Sequence, residues 1–399
     1  MSTTVNTIVA LGILAGLSWY LYRPAVQNST RYQALVVPLA NIMDVGFLVL
    51  SPVIVVLVGF DAPYFMLAIC LMAIATGFVI SYNIRNYEPL IGSDDRIHGV
   101  ATWARWALFA ASIVNIGYYA QLLIALVLLP FEAYTEDRTT VIAVIVLALL
   151  AVIGYSYGLS SLSRLGDRTT AFNISAIVAV VAAFIVFNIQ EVLGGRWDVP
   201  DYNPPNEPGD LGKLLGFFAI VQGFEASRYI GARFSSELRI STMRMAQIIS
   251  SAVFVTLLAS VLILFVQVRP EPDATAIFVV SSEASAVLPF IILLAAVGSQ
   301  LSAIVNATVS RSDLLLEATV GLERKYTFPI LLIPAMAVVA FTNVTAAVSL
   351  ASRVFAAFFL LQAVIASVLA RRAGSTHAVV GFSLVGLMMA IIMIFSISV

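Results

Sequence analysis

A chain of 399 residues that is 61% hydrophobic and 11% charged, with a mean hydropathy of +1.00, lies far outside the range of water-soluble domains. Its net charge of -1 offers nothing to a nucleic-acid backbone, so no nucleic-acid partner is expected, and a single cysteine, Cys70, excludes an intrachain disulfide. The solvent is the lipid bilayer, which points to an all-α, multi-pass protein of the cell membrane, since a helix pairs its backbone polar groups within itself.

A spanning helix needs about 20 apolar residues, because the hydrocarbon core is about 30 Å thick and each residue rises about 1.5 Å. Twelve segments meet that length. The first, 5–22, ends on an aromatic and basic edge of Trp19, Tyr20, Tyr22 and Arg23, which marks a retained helix rather than a cleaved leader. With its link it forms a unit 1–35. Segments 36–60, 61–84, 98–130, 139–161 and 171–193 follow as core helices 1 to 5. After the external loop 194–212 come 213–234, 243–268, 285–318, 327–343 and 345–371, core helices 6 to 10. One more helix, 377–398, lies in a C-terminal unit 372–399.

The two sets of five span 36–193 and 213–371, 158 and 159 residues, and in each the third helix is the long one. An odd number of helices per half turns the second half over, so the chain reads as a 5+5 inverted repeat with one extra helix before and one after. Charge orients it. With the N-terminus outside, sixteen of the 21 Lys and Arg fall on the cytoplasmic side, which predicts both termini and the loop 194–212 outside.

Two carboxylates remain inside the bilayer, Asp44 in core helix 1 and Glu225 in core helix 6, each close to a glycine, Gly46 and Gly223. Their depths are about 12 Å and about 14 Å. An intramembrane carboxylate is a functional candidate by default, and glycine there either lets the helix unwind, exposing carbonyls and N–H groups to a ligand, or permits close packing. Asn41 shares a face with Asp44, and Gln222 with Glu225, so both faces are expected to look into one cavity. In core helix 3, Tyr118, Tyr119 and Gln121 suit closure over a small polar solute, or form an interfacial belt.

In core helix 8, Ser299, Ser302 and Asn306 make a polar stripe whose oxygens suit a hard cation, or simply bond back to their own helix. Arg353 in core helix 10 cannot shed its charge. Its expected partner is Glu225 or Asp44, or an anionic group of the substrate. No nucleophile with a base and no metal cluster is evident, so neither an enzyme nor a bound cofactor is expected.

Four passages carry a family likeness: Ala40-Asn41-Ile42, Tyr118-Tyr119-Ala120-Gln121, Gly158 to Asp167, and Ala295-Ala296-Val297-Gly298-Ser299-Gln300 leading to Asp313. With this topology they resemble the amino acid–polyamine–organocation (APC) superfamily, which has the leucine-transporter fold, and within it the sodium/solute symporters. The resemblance implies a sodium site at Ser299, with Gln300 or Ser302 beside it, and at the carbonyls of Leu39, Ile42 and Ala296. Gly223-Phe224-Glu225 is similar to the passage that lines the substrate site in the amino-acid permease branch. The function implied is sodium-coupled symport of a small polar organic solute by alternating access. Proton-coupled amino-acid transport through Glu225 or Asp44 is the alternative, and a symporter-like sensory or accessory module is a third.

Overall fold

Residues 2–93, 95–131, 133–197, 209–268, 276–319 and 321–398 are described by a computed structural model, with backbone alone at 2, 45, 160–168, 266–268, 317 and 318. Among them the chain forms fifteen α-helices joined by short turns. They are α1 (Ser2–Leu21), α2 (Pro24–Gln27), α3 (Thr30–Ile42), α4 (Val45–Val58), α5 (Ala62–Asn86), α6 (Ile97–Leu128), α7 (Glu136–Tyr157), α8 (Ser160–Leu193), α9 (Asp210–Leu215), α10 (Ser236–Val268), α11 (Ala276–Ala284), α12 (Leu288–Ala318), α13 (Arg324–Phe341), α14 (Val344–Arg372) and α15 (Thr376–Phe395). Helix starts carry the expected signals. Thr135 accepts from the Arg138 N–H ahead of α7, and Asn343 accepts from the Ala346 N–H ahead of α14.

Ten segments among the described residues are long and apolar enough to cross a membrane, and the chain is a multi-pass membrane protein. Large side chains such as Ile8, Leu71, Phe290 and Leu384 stand outward because lipid covers them, whereas Phe184, Phe218 and Phe254 fill the interior.

Helices predicted as counterparts pack on one another. α5 lies against α10, α6 against α12, α7 against α13, and α3 against the 3-10 segment Phe224–Ile230. Four of the five predicted counterpart pairs, core helices 1 and 6, 2 and 7, 3 and 8, and 4 and 9, are thus in contact. α1 packs on α8, and α15 on α14.

Two predicted helices are not continuous. The segment 36–60 divides into α3 and α4 at Met43 and Asp44, and 213–234 becomes α9 followed by 3-10 segments Phe218–Val221 and Phe224–Ile230. Hydropathy cannot distinguish a broken apolar run from an intact one. The nine-residue α11 was not anticipated, being too short to register against a length of about 20 residues. Most of the loop expected at 194–212, residues 198–208, lies outside the described residues.

Candidate functional site

α3 ends at Ile42, and its neighbour Met43 returns its N–H to the Leu39 carbonyl at 2.8 Å. Asp44 then takes an extended backbone (φ -81°, ψ 149°) and stands at the N-cap of α4 without a side-chain cap bond to that helix. An aspartate there would ordinarily accept from its own first turn. This one reaches across to α12 instead. Its Oδ1 accepts from the Ser299 hydroxyl at 2.6 Å and from the Gln300 amide at 2.9 Å.

Gly46 is the second residue of α4, and of the two roles expected of it close packing is the one it takes. The break falls at 43–44, before it, and Gly46 is helical. Its missing side chain makes room for Tyr118, because a Cβ at 46 would overlap the Tyr118 hydroxyl and meet Asp44 Oδ2 at 3.0 Å. Tyr118 thereby joins Asp44, Ser299 and Gln300. Tyr119 packs beside it at a ring separation of 5.4 Å, within electrostatic reach of Asp44, Glu225 and Arg311.

The second break is built on Gly223, whose φ of +113° belongs to glycine. A Cβ there would come within 2.6–2.7 Å of the carbonyl carbon, Cβ and carbonyl oxygen of Asn41. The two breaks thus touch, backbone to backbone. Glu225 is buried, and its Oε2 accepts from the Gly223 N–H at 2.8 Å, folding the carboxylate back on its own turn. Gln222 is buried just before it with a carbonyl oxygen that has no protein partner, and Gln300 carries a second such oxygen. Buried acceptors left open in this way mark a place where a ligand can donate or coordinate.

The structure brings together Asp44, Gly46, Tyr118, Tyr119, Ser299, Gln300, Gln222, Gly223 and Glu225, with the carbonyls of Leu39 and Ile42 at the end of α3. Ala296 is fully buried one turn before Gln300. Ser302 lies a turn beyond and accepts from Asn306 at 3.3 Å, so this end of the polar stripe is paired along its own helix.

Other expected members point elsewhere. The Gln121 amide donates to the carbonyls of Val339 (3.1 Å) and Thr342, bracing α6 to the end of α13. Phe224 is fully buried against Phe359, with ring centroids 5.3 Å apart. The Asn41 amide folds back onto the Val37 carbonyl at 2.7 Å. Arg353 does not pair with Glu225 or Asp44. Its Nε donates to the Ser396 carbonyl at 2.7 Å, and a second guanidinium nitrogen donates to the same oxygen, because α15 ends there with carbonyls its own helix cannot satisfy.

A different cation lies near Glu225. Arg311 of α12 donates through Nε to Ser112 of α6 at 2.6 Å, lies 5.9 Å from the Tyr229 ring centre, and acts electrostatically on Glu225.

A family profile described as APC superfamily transporter matches residues 24–396. An uncharacterized protein of Aquifex aeolicus (strain VF5) is 27% identical over 372 residues, 91% of this chain and 90% of that protein. The structure of a Na+-coupled sialic acid symporter, in a substrate-bound outward-open state, is similar with a TM-score of 0.51 at 15% identity, covering 99% of this chain and 98% of that one.

Proposed function

The chain belongs to the APC superfamily of transporters, and from that premise we propose that it is a secondary transporter moving a small polar organic solute in symport with sodium, by alternating access around the paired breaks. One observation carries the reading: the Asp44 carboxylate, set at the break in core helix 1, is held by Ser299 and Gln300 of α12. A hard cation is bound by clustered oxygens. Asp44, the Ser299 hydroxyl, the open Gln300 oxygen and the carbonyls of Ile42 and Ala296 are the candidates for that shell.

The location suits coupling. An ion there ties α4 to α12, so its binding energy favours the arrangement in which they stay together. Gln222, Tyr118, Tyr119 and Glu225 are the candidates for the solute, with Gln222 offering an acceptor and Tyr118 a hydroxyl. Sodium is favoured because the similar sialic acid symporter is Na+-coupled. The end of the molecule bearing Arg228, Arg239 and Arg372 is cytoplasmic in this reading and both termini are outside, following the distribution of basic residues.

The test is a thermal-stability titration of purified protein with sodium against potassium. Sodium should raise the unfolding temperature, as any ligand of the folded state does. Ser299→Ala should weaken the apparent sodium affinity about tenfold, about 1.4 kcal/mol, and Ser310→Ala, exposed further along α12, should not. A wild-type protein indifferent to sodium but stabilised by protons would hand the coupling role to Asp44 or Glu225 as a proton carrier.

A further inference from the structure

The half of core helix 6 that carries Glu225 does not support itself. Residues 224–230 are 3-10, a geometry that rarely persists beyond one turn, and the carbonyls at its end need partners from outside. Arg239, in the first turn of α10, supplies them. Its Nη1 donates to the carbonyls of Ser227 (3.3 Å) and Arg228 (3.0 Å). The same guanidinium forms a two-pronged pair with Glu88, in the turn after α5, at 2.9 Å and 2.5 Å. Gly231 leaves room for it, since a Cβ there would lie 3.3 Å from the guanidinium carbon.

A second contact stands beside the first. Arg228 donates to the Gln362 side-chain oxygen of α14, which also accepts from Asn83 of α5 at 2.8 Å, and the Arg228 guanidinium lies over the Tyr87 ring at 5.1 Å. The lower end of the Glu225 segment is thus pinned to α5, α10 and α14 at once.

The Arg239 side chain is only 4% exposed and that of Glu88 20%. A buried ion pair adds little net stability, because desolvation offsets the attraction, yet breaking one partner away is costly. Such a pair suits a joint that is either fully made or fully released. We propose that Glu88 and Arg239 are positioning residues for transport: together they hold the Glu225 segment against α5 and α10, close the site toward this face, and release it when the site opens there. The proposal rests on the alternating-access reading above.

The test uses the full chain in membrane vesicles and the native Cys70 as an internal control. A thiol introduced by Ala226→Cys, next to Glu225, is exposed to a membrane-impermeant methanethiosulfonate reagent from either face, and modification at 226 and at Cys70 is followed by mass spectrometry. With Glu88→Gln added, modification at 226 should accelerate at least tenfold, only from the face at which Ser93→Cys reacts. Cys70, buried between α5 and α10, should stay unmodified. An unchanged rate at 226 overturns the proposal, and so does modification of Cys70 in parallel, which would mean general loosening. Should Glu88→Gln not reach the membrane, Arg239→Lys carries the same test, keeping the charge but losing the fork, with a rise of about threefold expected. Neither sodium nor solute enters the measurement, so a failed sodium titration and an unchanged labelling rate identify different errors.

Discussion

At residues 43–44 the chain leaves one α-helix and enters another within two residues, whereas at 222–223 it passes between 3-10 segments through a left-handed glycine. Each break holds a carboxylate, and the two are wired differently. Asp44 is held by side chains of α12, far along the chain, while Glu225 accepts from the backbone of its own turn. Counterparts in a repeat can therefore divide the work. The first carboxylate ties α4 to α12, and the second shapes the local turn whose far end Arg239 pins.

The largest expected effect would break this comparison at its contact point. Gly223→Ala forces a left-handed backbone on alanine and drives a Cβ into Asn41, and should cost on the order of 3 kcal/mol. Unfolding temperature in detergent reads it. Wild-type stability in that variant would mean that the breaks do not touch as described.

Gly46→Ala comes next, at about 1–3 kcal/mol, from overlap with the Tyr118 hydroxyl. Adding Tyr118→Phe removes the overlapping atom and should return part of the loss, whereas Tyr118→Phe has nothing to relieve in the Gly223→Ala background. A pair of double-mutant cycles on unfolding temperature separates the two.

Arg353→Met sharpens the comparison from outside it. Loss of a charged hydrogen bond to the Ser396 carbonyl should cost about 1.5–3 kcal/mol. It should show no coupling to Glu225→Gln or to Asp44→Asn, because the guanidinium serves the end of α15. Coupling to either carboxylate would restore the ion pair that the sequence alone suggested.

The smallest change in stability, and the most telling, is expected for the carboxylates themselves. Asp44→Asn keeps the shape of the α12 contact with little loss of fold stability but should abolish the sodium-dependent shift. Glu225→Gln should retain that shift to within about twofold in apparent affinity, about 0.4 kcal/mol. The same sodium titration measures both, and equal losses would collapse the distinction.

Legibility followed the kind of signal. Asp44 and Glu225 could be singled out because a carboxylate inside an apolar run is costly wherever its side chain points. Ser299 was reachable from the 3.6-residue period of α12. Gln121, Phe224 and Arg353 misled, since a residue's place along a helix does not say which neighbour its side chain meets. Gln121 turned to α13, Phe224 to Phe359 and Arg353 to Ser396.

The sequence by itself determined that lipid is the solvent, where the long helices run, that the halves match, and that two carboxylates lie at depth. All of these are sums over many residues or large single penalties, and they survive errors of a few positions. Only the tertiary structure decided that core helix 1 breaks before Gly46 rather than at it, that Asp44 belongs to α12, and that Glu88 meets Arg239 across 151 residues of chain. Such contacts depend on the approach of backbones that glycine permits and on the direction of single side chains, and packing sets both only when every helix is in place.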